Sequence, residues 1–297
     1  MDRLDAMRIF LAVAEKSGFA EAARHLRLSP PSVTRAIASL EERLGTSLFQ
    51  RSTRHVRLTQ AGQRFLMDAR RILADLEEAE ASAAGDHGAP QGDLSITASV
   101  MFGSLYVAPL VQDFLRLHAK VNARLLLLDR VTNLIDEGFD IAVRIALLQD
   151  SSLRAIRVGA VRRVIVAAPD YLAQHGEPQT PDELLRHDAI AFSSAAGVDQ
   201  WTFRDNARVA PPARFTVNSS DVAIRAAIAG RGVTRVLSYM VAPALAAGQL
   251  KILLPDYELP PTPVQLVHAE GRRANAKVRA FLDFAVERLR AEPVLQN

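Results

Sequence analysis

Between residues 27 and 57, six arginines (Arg27, Arg35, Arg43, Arg51, Arg54, Arg57) face only two acids, Glu41 and Glu42. A surplus of this kind suits a polyanion. Inside it lies Ser29-Pro30-Pro31-Ser32-Val33-Thr34-Arg35. A guanidinium can fork onto guanine, and threonine can offer a base edge its hydroxyl or its methyl. Ser32, Thr34 and Arg35 are therefore candidate base readers. Arg54 suits a minor groove, and Arg51 or Arg57 suits phosphates. Catalytic patterns are missing from the sequence: there is no G-x-S-x-G, H-E-x-x-H, P-loop or G-x-G-x-x-G. Gly230-Arg231-Gly232 lacks a third glycine and follows a helical pattern, as a helix-ending turn would. The seven histidines (25, 55, 87, 118, 175, 187, 268) form no metal-spaced pair. With no cysteine, a disulfide scaffold, a thiolate nucleophile and Cys-ligated metals are excluded. The expectation is no enzyme, no cofactor and no metal.

The arginines and hydroxyls need elements to hold them. Leu4, Met7, Leu11 and Ala14 recur at helical spacing and predict a first amphipathic helix. Phe19–Leu26 predicts a short second one whose small residues allow close approach. Ser29 is a good N-cap and Pro30 suits a first helical position, so a third helix is expected from Pro30 to about Leu44. Val33, Ile37, Leu40 and Leu44 should face inward, and Gly45 should end the helix. Two short helices joined by a tight turn match the helix-turn-helix, whose second helix enters the major groove by its N-terminal residues. Leu48–Leu58 reads as a hairpin with a basic tip.

Residues 1–57 carry ten Lys/Arg and six acids, a net +4, against −1 for the other 240 residues. With 297 residues, 49% of them hydrophobic, two folded domains are expected. No apolar run reaches the roughly 18 residues of a membrane span, and the charged N-terminus is unlike a secretory signal. A cytoplasmic protein is the expectation. Three glycines and a proline in 84–92 predict a linker. Beyond it, strands are expected at 94–100, 123–128, 141–145, 161–168, 189–192 and 263–269. Helices are expected at 103–118, 131–138, 221–230, 238–247 and 274–290. That alternation predicts α/β architecture with largely parallel sheets.

The run from Met7 to Phe65 resembles the winged helix-turn-helix of the LysR-type transcriptional regulators. It follows that family's S-F-x-x-A-A-x-x-L-x-x-S-Q-P-x-V-S-R-x-I-x-x-L-E-x-x-L-G-x-x-L-F-x-R with few departures. Pro30 stands at the glutamine position, beside Pro31, and Thr34 stands at the serine before the arginine. The glutamine is a frequent base contact in the family, so readout should shift towards Ser32, Thr34 and Arg35. Residues 92–297 resemble the family's effector domain, through NLIDEGFDIAVRIALLQDSSL (133–153), 161–192 and 217–254. The resemblance implies a winged helix-turn-helix over 1–58, a dimerisation helix and hinge over 59–91, and an effector domain over 92–297. The effector domain should have the two-lobed α/β fold of type 2 periplasmic binding proteins. Its lobes should span 92–162 with 268–292, and 163–267.

Along the linker helix Phe65, Ala69, Ile72, Leu76, Ala79 and Ala83 are spaced 4, 3, 4, 3, 4. That is the period of a two-stranded coiled coil, so Phe65 to Ala79 are dimerisation candidates; the alternative is a helix packed on its own domain. In α/β sheets ligands bind beyond the carboxyl ends of strands. Ser99, Met101 and Phe102 follow one such end, and Asn218 and Ser219 open a later helix. Free N–H groups at two helix starts would favour a carboxylate or other small anion. Arg144 is expected to supply countercharge or an internal ion pair, and Phe192 an apolar wall. Family members often carry a polar residue where Met101 lies, which points to a less polar, aromatic ligand. Together these predict a cytoplasmic, DNA-associated regulator, a dimer or dimer of dimers on a two-fold-symmetric operator, controlled by a small-molecule effector. The alternatives are a small-molecule binding protein whose N-terminal module mediates assembly, and a ligand-blind repressor.

Overall fold

The computed structural model describes residues 2–51, 56–83, 89–147, 153–192, 200–269 and 276–296. It divides into two compact units, Met1–Gly92 and Asp93–Asn297.

In the first unit, α1 (Arg3–Lys16), α2 (Phe19–Leu26) and α3 (Pro30–Leu44) precede a hairpin of β1 (Phe49–Arg51) and β2 (Val56–Leu58), then α4 (Gln60–Ala83). Phe10 is fully buried, with its ring centroid 5.2 Å from Phe49 and 5.1 Å from Phe65. The buried face of α1 is Ala6, Met7, Ile9, Phe10, Ala12 and Val13. The expected stripe was displaced: Leu4, Leu11 and Ala14 are only half-buried. Three helices (α2, α3 and α4) pack against α1, so its apolar face is broader than one stripe. Val33, Ile37 and Leu40 do face inward, but Leu44 is 43% exposed, and Leu48, beyond the turn, fills the core instead.

Side chains lock the turns. The Ser29 hydroxyl accepts from the Ser32 N–H at 3.3 Å, and Gly45 ends α3 in the left-handed region (φ 66°). One Glu41 oxygen accepts from the N–H groups of Leu48 (2.8 Å) and Phe49 (3.1 Å), tying α3 to the wing. Thr59 Oγ1 accepts from Gly62 N–H at 2.9 Å and donates to the Ser47 carbonyl at 2.7 Å. A Cβ on Gly62 would lie 2.0 Å from the Leu48 carbonyl oxygen, so α4 reaches the wing only with glycine there.

The second unit holds two five-stranded sheets. β3 (Gly92–Ala98) leads into α5 (Val100–Phe102), a π-helical turn at Gly103–Val107 and α6 (Ala108–Leu117). Next come β4 (Val121–Leu127), β5 (Ile141–Ile145) and β6 (Leu153–Val161). The chain crosses to the second lobe with β7 (Arg163–Ala167), α7 (Pro169–His175), β8 (Ala189–Phe192) and the short pair β9 (Trp201–Thr202) and β10 (Arg208–Val209). β11 (Ala213–Val217), α8 (Ser220–Ile228), β12 (Val233–Leu237), α9 (Ser238–Ala246) and β13 (Lys251–Leu253) complete that lobe. β14 (Thr262–Ala269) and α10 (Ala276–Ala291) return to the first. The strand orders are β4-β3-β5-β14-β6 and β11-β8-β12-β7-β13.

These sheets are mixed, not largely parallel. β3 and β5 pair in parallel, as do β11, β8 and β12, but β14 is antiparallel to β5 and β6, and β7 to β12 and β13. The antiparallel strands are those next to the crossings, where the chain enters each sheet from the other lobe. Two boundaries move for the same reason. The whole of β14 belongs to the first sheet, so the second lobe ends before Thr262 and not at 267. The apolar run 161–168 is two strands, since Val161 ends β6 and Arg163 begins β7. The expected helix at 131–138 is a turn, because Asn133 Oδ1 accepts from the N–H groups of Ile135 (3.1 Å) and Asp136 (3.3 Å) and Gly138 stops it at φ 70°.

Candidate functional site

On α3 the cap fixes which groups are free. Pro30, Pro31, Thr34 and Arg35 are exposed and Ser32 is half-buried. The Ser32 hydroxyl lies 2.8 Å from that of Ser29, so it serves the cap. Thr34 Oγ1 donates to the Pro30 carbonyl at 3.1 Å, which orients its methyl, and Arg35 Nε reaches the Pro31 carbonyl only at 3.4 Å. Ala38 and Ser39 extend the exposed face one turn further, four residues after Thr34 and Arg35, and were not singled out from the sequence.

Several surface arginines are occupied: Arg24 pairs with Glu21 at 2.6 Å and Arg70 with Glu15 at 3.0 Å. Arg27, Arg35, Arg43 and Arg57 make no ion pair with any other described residue. They leave uncompensated positive charge on the unit that presents α3. Arg57 is exposed on β2, opposite Gln50, and Arg51 closes β1 opposite Val56. Arg54, at the expected wing tip, lies outside the described residues.

In the second unit the expected ligand residues sit at strand ends. β4 lies beside β3 and runs in the same direction: Asn122 bonds Asp93 at 3.1 Å and Leu128 N–H reaches the Ala98 carbonyl at 2.8 Å. The carboxyl ends of β3, β4 and β5 thus share one edge of the first lobe. Met101 from that edge packs both on its own lobe's core and on the second lobe's cluster of Ile190, Val217, Ile224 and Val236, and Met240 does the same from the other side. Fully buried Phe102 meets Tyr239 edge-on at 5.2 Å, and Tyr106 joins them at 5.9 Å from Tyr239. Met101, Phe102, Tyr106, Tyr239 and Met240 therefore form a packed junction between the two lobes. Tyr106, Tyr239 and Met240 were missed from sequence; the signal available for the latter two was their place directly after an apolar strand.

The expected anion anchors are filled from within. Asp129 Oδ1 accepts from the Val100 N–H at 2.9 Å, so a carboxylate of the chain itself sits on the first helix start. At the second, Ser219 Oγ faces the Val222 N–H at 3.5 Å, beside exposed Asn218. Arg144 donates to both the carbonyl (2.9 Å) and the hydroxyl of Thr132, and burial works against its charge. Arg130 and Glu137 form a two-pronged pair at 2.9 and 2.6 Å that holds the Glu137 carboxyl below its ordinary range. Phe192 is half-buried at the end of β8.

Residues 4–63 match the family model "Bacterial regulatory helix-turn-helix protein, lysR family", and residues 87–290 match "LysR substrate binding domain". The chain belongs to the LysR family of transcriptional regulators. It is 31% identical over 290 residues to the HTH-type transcriptional regulator CrgA of Neisseria meningitidis serogroup B, covering 96% of each chain. It is also 31% identical to the HTH-type transcriptional activator AaeR of Escherichia coli, over 95% of this chain and 93% of that one. The solved CrgA structure from Neisseria meningitidis aligns with a TM-score of 0.62 at 30% identity, over 97% of this chain and 99% of that one. The full-length virulence activator AphB of Vibrio cholerae aligns at 0.60 and 25%, over 96% and 99%. This LysR-type regulator thus binds DNA through its helix-turn-helix and carries an effector-binding domain; the family is one of regulators, not enzymes. Among the described residues no helix is long and apolar enough to cross a membrane.

For the LysR-type linker helix the coiled-coil expectation needs correction. Ala69 is fully buried in the first unit's own core, with Leu73, and Phe65 packs edge-on against Phe10. Neither is left open as a seam residue, because α4 lies along α1 over its first turns. Met67 and Ile72 are exposed and Leu76 is half-buried; Ala79 lies in α4, but its side chain is outside what is described.

Proposed function

We propose that this regulator works as a homodimer or dimer of dimers on a two-fold-symmetric DNA site, in the cytoplasm. Residues 1–58 form the reading module and 59–91 the arm that pairs with a second copy. Met67, Ile72, Leu76 and Ala79 are the candidate contacts, beyond the part of α4 spent on its own domain. Thr34 and Arg35 read base edges, Pro30, Pro31 and Ser32 set the helix start against the backbone, and the wing places Arg57, Arg51 and Arg54 along the phosphates and minor groove. A small molecule held between the lobes near Ser99, Met101, Phe102, Arg144, Phe192, Asn218 and Ser219 favours one assembly geometry over another, which couples the cleft to the DNA.

The observation that carries this reading is the capped start of α3, with Thr34 exposed beside Arg35, which has no ion pair among the described residues. It is tested by titrating the purified chain onto DNA from upstream of its own gene, across a salt series, with a scrambled competitor. The expected outcome is a preference of about 10³ or more. Equal, steeply salt-sensitive binding to both DNAs would contradict sequence reading.

A further inference from the structure

Three helices of the first unit end in the left-handed region: α1 at Ser17 (φ 52°), α2 at Arg27 (φ 55°) and α3 at Gly45 (φ 66°). The endings of α2 and α3 are the same motif. Arg27 N–H bonds the Arg24 carbonyl and Leu28 N–H the Ala23 carbonyl, just as Gly45 N–H bonds the Glu42 carbonyl and Thr46 N–H that of Glu41. α3 meets this geometry with glycine, which adopts it without strain, and α1 with a small serine. α2 meets it with an arginine, whose Cβ the left-handed region crowds. The fold draws no contact from that choice: Arg27 is exposed, with no ion pair or side-chain hydrogen bond among the described residues. Arg24, three residues earlier, is by contrast held by Glu21 at 2.6 Å.

We infer that Arg27 is a DNA phosphate contact, the pin by which the turn between α2 and α3 seats α3 on the duplex. This rests on the reading of α3 as the helix that enters the major groove. The chain itself supplies the reach. Arg27 lies two residues before Ser29, whose hydroxyl caps α3, so the two Cα atoms are at most about 7 Å apart. The major groove is about 12 Å wide, with the phosphates along its two rims. A side chain set back that far from the start of α3 stands at a rim and not over the base edges that Thr34 and Arg35 face. There its guanidinium meets phosphate oxygens, which accept its forked donors. Such a contact carries no sequence information but fixes how the helix is oriented and how deep it sits. Backbone strain kept at the turn is then offset by an interaction made only on DNA.

The test sets Arg27→Gly, Arg27→Lys and Arg35→Ala beside the unaltered full chain. Each is titrated at several salt concentrations onto DNA from upstream of the gene and onto a scrambled fragment, and the denaturant unfolding midpoint of each is measured. Arg27→Gly should bind both DNAs about tenfold more weakly and lower the salt slope by about 1. Its midpoint should stay or rise, because relief of the backbone strain offsets glycine's greater freedom in the unfolded chain. Arg27→Lys keeps both the charge and the strain, so its salt slope and midpoint should match the unaltered chain. Weakening confined to the upstream fragment would make Arg27 a base reader, and a midpoint that falls in Arg27→Gly together with binding would make its role structural; either result overturns the proposal. So does unchanged binding by Arg27→Gly while Arg35→Ala is weakened. Unchanged binding by both variants overturns the reading of α3 as well.

Discussion

The α3 surface and the cleft treat charge in opposite ways. On the first unit Arg27, Arg35, Arg43 and Arg57 stand without an ion pair among the described residues, while in the second Arg130 pairs with Glu137 and Arg225 with Asp221. Both regions are arginine-rich in sequence, yet only one leaves its cations for a partner. Exposed unpaired cations gain little from their own protein and much from phosphates, whose counterions they release. Cations already bonded within the fold shape a site without advertising charge. Residue type alone therefore does not distinguish a surface that binds a polyanion from one whose cations are already paired.

The contrast can be broken or sharpened by substitution. The largest effect belongs to Phe10→Ala, which removes the ring shared by α1, α4 and the wing. It should cost the first unit about 3–5 kcal/mol in denaturant unfolding and abolish specific DNA binding, leaving the unfolding of the second unit unchanged. Arg35→Ala should cost about 1–3 kcal/mol on the cognate site and relax sequence preference. Equal weakening on random DNA would make Arg35 a phosphate contact only. Arg57→Ala should weaken all DNA alike and lower the salt slope by about 1, whereas an Arg144→Ala variant should leave that slope unchanged.

The smallest effect is a pH dependence confined to the second unit. His187 is buried, with Nδ1 3.3 Å from the Tyr171 hydroxyl. Burial holds its imidazole below the ordinary range, His175 adds to this, and Glu183 and Asp188 oppose it. The unfolded chain then takes up the proton more readily. The contribution is complete above the ordinary histidine value of about 6.5 and is lost as pH falls through it towards the folded value. The unfolding midpoint of the second unit should fall between pH 7.5 and pH 5.5, and less so in His187→Gln. A midpoint that drops equally in both proteins would assign the loss to other groups.

The two regions also differed in how far they could be read from sequence. The first unit is specified by local chemistry: Ser29 as cap, Pro30 at the helix start and Gly45 at its end all sit where the sequence places them. What escaped there were contacts across the fold, such as Glu41 on the wing and Ala69 in the core. The second unit is set by long-range pairing. Nothing local in 161–168 says that one residue separates two sheets, and nothing in 262–267 says which lobe those residues rejoin. Ser99, Met101 and Phe102 were placed at a strand end correctly, yet the partner that fills their helix start, Asp129, lies 29 residues from Val100. The likeness to a family conveys the fold, but not which side chains occupy the helix starts and pair the arginines.

Between β6 and β7 stands a single residue, Arg162, and it is clamped twice: its N–H bonds Ser238 Oγ at 3.1 Å, and its carbonyl accepts from Ser238 N–H at 2.8 Å. Tyr239 is the next residue along. This crossing between the lobes is thus riveted to the root of the helix that carries the buried Tyr239 ring. A rotation at this crossing would carry the Tyr239 ring against Phe102, so crossing and junction would move as one mechanical part, like a key whose bow and blade cannot rotate separately.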